Sequence, residues 1–217
     1  MMIVAQAPAN VQFDSPTEDS GLLGAKSGQT RFLIVPERRY FMIEGQGAPE
    51  SPSFQAAFGA LFPVAYVVHF GLKRRGVAAR VGAVEALYWF GRTEGPIQAG
   101  EFDQHDRSDW RWRLLLPVPD AATAEEIDGA FHEVAATKAP AALHLLRVER
   151  WEEGPAAQTL HVGTYASEPV TIVALQDAIA AAGLQPRGCH HEIYISDPNR
   201  TAPERLKTII RQPVESA

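Results

Sequence analysis

The chain reads as the same short plan written twice, and that repetition limits its fold more than any other feature. Tyr40-Phe41-Met42-Ile43-Glu44-Gly45, then Pro49 and a helical run, lines up with Leu160-His161-Val162-Gly163-Thr164-Tyr165, then Pro169 and a helical run. Val84-Glu85-Ala86-Leu87-Tyr88-Trp89 matches His191-Glu192-Ile193-Tyr194-Ile195-Ser196. Leu114-Leu115-Leu116-Pro117-Val118 matches Ile209-Ile210-Arg211-Gln212-Pro213-Val214. Each half is strand–helix–strand–strand, and a duplicated unit of this order predicts one repeated architecture. Helices that follow strands bury their apolar stripes against a sheet. The expected fold is α+β: two tandem modules with pseudo-twofold symmetry, antiparallel sheets forming a ligand groove, and helices on the opposite face. Module one runs over about 31–136 and module two over about 143–214, after a partly ordered N-terminal arm, 1–30, that mixes Ser, Gly, Pro and Asp without a period.

Local signals place the elements. Phe32–Val35 and Tyr40–Glu44 are strands, and the glycines of Gly45-Gln46-Gly47 permit a turn. Ser51-Pro52 gives a helix its N-cap and first residue, with Pro63 expected to kink or divide it before Leu72. Val84–Phe90 and Trp110–Pro117 are strands. Thr123 caps a helix to Ala136, with Glu125 and Glu126 in the first turn, where the dipole favours anions. Leu143–Trp151, Thr159–Thr164, His190–Ser196 and Leu206–Val214 are strands, with a helix over Pro169–Ala182 that Gly183 terminates.

Composition excludes several functions. With 20 basic and 26 acidic residues the net charge is -6, which argues against a phosphate-backbone binder. Lys73-Arg74-Arg75 suits the C-terminal end of a helix. Cys189 is the only cysteine, so neither an intrachain disulfide nor a zinc framework of paired cysteines can form. On alternation its thiol points away from His190. No secretory signal opens the chain, and the apolar stretch Ala57–Phe70 is too short to span a bilayer, so a cytoplasmic protein is expected.

The chemistry concentrates in Cys189-His190-His191-Glu192-Ile193-Tyr194-Ile195-Ser196. In a strand His190, Glu192, Tyr194 and Ser196 share a face, with Ile193 and Ile195 on the other. Four polar positions on one face imply either solvent or a ligand. The equivalent places in the first half put Glu85, Leu87 and Trp89 on the same groove. Trp110 and Trp112 share a strand face, opposite Arg111 and Arg113, and with Trp89 are candidate aromatic walls. Trp151 reads as packing. Neighbouring His190 and His191 diverge on a strand and cannot chelate, so no metal or other cofactor is expected. His69, His144 and His161 read as structural, and Ser196 has no nucleophile elbow around it.

These blocks, with Pro63-Val64-Ala65-Tyr66, Trp110-Arg111-Trp112-Arg113-Leu114 and the long run His191 to Val214, resemble the stand-alone GyrI-like small-molecule-binding proteins. The likeness covers about Arg31 to Val214. It implies two strand–helix–strand–strand modules around a groove whose carboxylate and rings accept flat, often cationic compounds. Some stand-alone members are hydrolases that open the cyclopropane of DNA-alkylating natural products, a detoxification that gives antibiotic resistance. Carried over, the groove glutamate falls on Glu192 and its tyrosine on Tyr194, with Glu85 and Trp89 as their counterparts in module one. Ala86 stands where many relatives have Gly, and Tyr88 where Trp is common. No helix-turn-helix is seen ahead of the domain. The resemblance thus implies catalysis by Glu192, as general base for water, and Tyr194. Glu85, Leu87, Trp89, Trp110, Trp112 and His190 would bind the ligand, in a monomer or homodimer that contacts neither nucleic acid nor membrane. The competing expectations are a non-catalytic multidrug-binding, sequestering or sensing module, and, on the family name alone, a modulator of a topoisomerase.

Overall fold

In the computed structural model the described residues are 11–217 except Asp103, with the side chain of Ala99 also outside the description. They form an α+β structure of nine strands and four helices, and every strand pairing described is antiparallel. In chain order these are α1 (Asp19–Leu22), β1 (Arg31–Val35), β2 (Arg38–Gln46), α2 (Pro52–Arg74), β3 (Val84–Phe90), β4 (Trp110–Pro117), α3 (Ala124–Thr137), β5 (Arg147–Trp151), β6 (Gly154–Val162), α4 (Glu168–Ala181), β7 (Leu184–Pro186), β8 (His190–Tyr194) and β9 (Lys207–Ser216). Residues Leu143–Leu145, expected as strand, form a 3₁₀ turn ahead of β5.

The chain divides into two compact units. One comprises the residues up to Glu37, Leu87–Asp106 and Glu152–Ala217; the other comprises Arg38–Ala86 and Arg107–Trp151. Neither is one contiguous half. β1 pairs with β6, and β5 pairs with β2, so the first strand of each half serves the unit that holds most of the other half.

In the unit Arg38–Ala86 with Arg107–Trp151, β2 runs between β4 and β5. α2 is capped by Ser51, whose Oγ accepts from the Phe54 N–H at 3.4 Å, and is opened by Pro52. It continues unbroken through Pro63 to Arg74. At 23 residues it is about 34 Å long, which corrects the expectation that it is too short to cross a bilayer. Its buried stripe, including Phe54, Leu61, Val64, Val68 and Leu72, and its contacts with β2, β4 and α3 make it a core helix. α3 has the Thr123–Glu126 capping box, each residue bonding the other's backbone N–H. Gly45 lies in β2 opposite Trp112, and a Cβ there would sit 2.2 Å from the indole. Glycine is therefore required at this position for close approach, and at Gly47 for a φ of +109°.

In the other unit the strand order is β1-β6-β9-β8-β3, with β7 on the end of β9. Residues 11–30, read from sequence as an arm, pack here. Asp14 bridges to Leu33, and Leu22 is buried with Leu33, Val35 and Ala156. α4 lies on β6 and β9, burying Ile172, Leu175 and Ile179 against Ala157, Ile210 and Val214. Each such aliphatic side chain contributes roughly 1.5–3 kcal/mol on burial.

Candidate functional site

β8 carries the polar stretch, and it is buried on both faces: only Tyr194 is partly open. A solvated sheet face is thereby ruled out. Alternation sends His191 and Ile193 to one side, and His190, Glu192 and Tyr194 to the other. Cross-strand partners share a face, and Glu192 pairs with Ile210 while Tyr194 pairs with Thr208. Ile210 is in the cluster under α4. The start of α4 and the carboxylate therefore occupy the same side of the sheet in this unit. Glu192 stands beside the start of α4, not under its middle.

The residues around Glu192 come from β8, β3, β9, the segment holding Phe102 and the start of α4. His190 Nε2 lies 3.2 Å from Glu192 Oε1, two positions away on the same strand face. The ring of Phe102 meets His190 edge-on at 5.2 Å. The hydroxyls of Tyr194 and Tyr88 are 2.7 Å apart. Tyr165, 44% exposed, packs edge-on to Tyr194 with 6.1 Å between centroids and forms the solvent side of the cluster. Glu168, the first residue of α4, is only 5% exposed and bonds the Thr208 hydroxyl. His161, across from Thr208 on β6, fixes this helix start. Its Nδ1 is 2.8 Å from Thr171 Oγ1, and its Nε2 is 3.1 Å from the Thr164 carbonyl.

Electrostatics separates the two carboxyls. Burial, then the charge of Glu192, pushes Glu168 far above the usual carboxylate range, and the Thr208 hydrogen bond only partly opposes this. Two acids this close in a poorly hydrated place do not both ionise easily. Burial, followed by the Glu192 charge, also raises the phenols of Tyr88 and Tyr194 well above their ordinary value, and that of Tyr165 to about 12. The site therefore holds neutral hydroxyl donors and a protonated carboxyl beside Glu192. Such an arrangement can take a proton at one atom and give one at another.

The opposite face of β8 holds a different cluster. His191 Nδ1 is 2.8 Å from Glu153 Oε1, and Arg211 Nη1 is 3.1 Å from Glu153 Oε2. The same guanidinium donates to Gln158 Oε1 and to the Leu22 carbonyl, each at 2.8 Å. Gln158 in turn donates to the carbonyls of Leu22 and Gly24. Burial alone would raise Glu153, but His191 and Arg211 bring it down to about 2. This network fastens residues 22–24 to β6 and β9, directly behind Glu192.

Of the residues selected from sequence, Glu192, Tyr194 and His190 come together. Leu87 and Trp89 are buried, but they alternate with Tyr88 on β3 and so point away from the face on which Tyr88 meets Tyr194. Glu85, Trp110 and Trp112 belong to the other unit and are buried there. Trp112 packs edge-on against Phe54 at 5.0 Å, and Trp110 lies under the Arg107 guanidinium at 5.2 Å. Ser196 lies beyond β8 and its Oγ accepts from the Lys207 N–H at 3.1 Å. Buried Cys189 directs Sγ toward Glu94 Oε2 at 3.7 Å. Sequence reasoning missed Glu168, Tyr165 and Tyr88. For Tyr88 the signal was available: it is the aromatic one residue out of phase with Leu87 and Trp89. An apolar recess of about 240 Å³ in the other unit, lined by Ile43, Ala56, Ala57, Trp112 and Leu145, includes none of the Glu192 cluster.

Comparison with known proteins supports the fold. No family model matches the chain, and neither does any curated protein. Among solved structures, an uncharacterized conserved protein from Listeria innocua is 28% identical with a TM-score of 0.80, over 93% of this chain and 100% of that one. A protein from Listeria innocua described as a hydrolase is 26% identical with a TM-score of 0.75, over 93% and 100%. The EcmrR C-terminal domain shares the fold at a TM-score of 0.53 and 13% identity, over 87% and 98%. These likenesses are consistent with a GyrI-like fold.

Proposed function

We propose that this protein binds flat aromatic small molecules beside Glu192 and hydrolyses those that carry a strained cyclopropane, a cytoplasmic detoxification of DNA-alkylating compounds. The observation that carries this reading is the buried carboxylate ringed by Tyr88, Tyr165 and Tyr194, with Glu168 close enough to feel its charge. The hydrolase description of a 26%-identical Listeria innocua protein supports the reaction class. Glu192 takes a proton from water as the water oxygen attacks the ring carbon. Tyr194 hydrogen-bonds the substrate, and His190 holds the carboxylate. General-base assistance contributes about 10²–10⁴-fold, which suits a substrate already strained and would leave an amide nearly inert.

The same rings around an anionic group also suit a second reading, retention of planar cations without chemistry. Turnover separates the two. Substoichiometric protein is incubated with excess cyclopropane-bearing alkylator, and the water adduct is followed by mass spectrometry. Product exceeding protein equivalents is expected, as is a drop of about 10²–10⁴-fold in Glu192→Gln with binding retained. Product capped at one equivalent would sink the enzymatic reading, and undiminished turnover in Glu192→Gln would remove the base.

A further inference from the structure

Glu168 is a buried titratable group beside Glu192 that the proposed reaction leaves unused. It caps no neighbour, faces Thr208 at the head of α4, and one of its carboxyl oxygens, Oε1, is buried without a hydrogen-bond partner among the described residues. A carboxylate in that position would leave a charge unsolvated, whereas a carboxylic acid keeps one donor to give. Its neighbours strengthen the argument. Thr208 pairs directly with Tyr194, and Tyr194 is joined to Tyr88, so Glu168, Thr208, Tyr194 and Tyr88 form a band on one sheet face beside Glu192.

We infer that Glu168 is the general acid of this site, paired with Glu192 as base, and that it protonates the oxygen on which ring opening leaves negative charge. The inference rests on the hydrolytic reading above. One water O–H bond breaks and its proton passes to Glu192. The water oxygen bonds to the cyclopropane methylene, and the ring C–C bond breaks. Its electron pair moves through the conjugated ring to the carbonyl oxygen, which accepts the proton of Glu168. Water has been added across the bond, and transfer of a proton from Glu192 back to Glu168 restores the site. A strained epoxide fits less well, because its oxygen lies next to the attacked carbon and needs no donor across a ring system.

The burial that holds the proton on Glu168 also makes it available at neutral pH, and loss of that proton should give the rate an alkaline limb. The test uses the full chain and a cyclopropane-bearing alkylator. Glu168→Gln preserves shape and the acceptor for Thr208. It should lose about 10²–10⁴-fold in turnover while binding and melting behaviour persist. An infrared difference spectrum of wild type against the variant at neutral pH should show one protonated-carboxyl band, which a purely structural residue kept as a carboxylate would not give. Should that variant not fold, Thr208→Val serves instead. Removing the hydroxyl that favours the ionised form should move the alkaline limb of the rate profile to higher pH, and an unmoved limb overturns the role. Full turnover in Glu168→Gln beside lost turnover in Glu192→Gln overturns the acid alone. Wild-type protein that never passes one product per molecule overturns the acid and the hydrolytic reading together.

Discussion

Glu153→Gln tests how much the buried network behind β8 holds the fold. The carboxylate is shared by His191 Nδ1 at 2.8 Å and Arg211 Nη1 at 3.1 Å, and none of the three side chains reaches solvent to a useful degree. Replacing it with an amide leaves the guanidinium bonded to Gln158 and the Leu22 carbonyl but with no countercharge. Breaking a buried pair from one side costs about 3–5 kcal/mol. For a chain of this length that lowers the melting temperature by roughly 6–20 °C. The pH dependence gives a second reading of the same interaction. The folded state holds Glu153 near 2 against an ordinary 4.5, a difference of roughly 3 kcal/mol. Because the folded value is the lower one, the stabilisation is complete above about pH 4.5 and is lost as the pH falls through about 2. Urea titrations of both proteins between pH 7 and pH 2.5 measure this directly. The wild type should lose stability more steeply than the variant in the acid range. Equal urea midpoints at pH 7, or parallel acid slopes, would refute the claim that this carboxylate is the ionised centre of the network.

Tyr88→Phe removes the hydroxyl 2.7 Å from Tyr194 and should cost about 0.5–1.5 kcal/mol of stability. It should also weaken ligand binding beside Glu192, read by fluorescence titration; unchanged affinity would place Tyr88 in the core alone. Gly45→Ala drives a methyl into the Trp112 indole and should destabilise by about 1–3 kcal/mol, with a shifted indole emission. A neutral result in thermal melts would mean that β2 and β4 separate there at no cost.

Periodicity made most of the elements legible. The bounds of β3 and β4 follow from apolar runs between turn residues, and α2 and α3 announce themselves by Ser51-Pro52 and Thr123 with Glu126. The failures share one cause, tertiary context. Gly45 looked like a turn glycine because nothing in its neighbours reveals that Trp112 lies against it. The anchoring of residues 11–30 could not be read from their own sequence, because it is made by Arg211 and Gln158, more than 130 positions away. Within the site, alternation grouped Glu192, Tyr194 and His190, since a single strand sets their direction. Glu168 and Tyr165 come from a helix start whose own sequence, Tyr-Ala-Ser-Glu-Pro, reads as ordinary capping. Only the register of β9 against β8 brings that helix start to Tyr194 and Glu192.

The pairing of β1 with β6 and of β5 with β2 means that the duplicated sequence has no clean seam. A cut between α3 and β5 would send β1 away from its neighbour in one fragment and β5 away from its neighbour in the other. Each piece would keep a surplus ribbon and expose a raw ladder of peptide groups, the template on which strands recruit strangers. What the sequence repeats in series, the backbone has laced together, so the smallest self-sufficient piece is the whole laced pair.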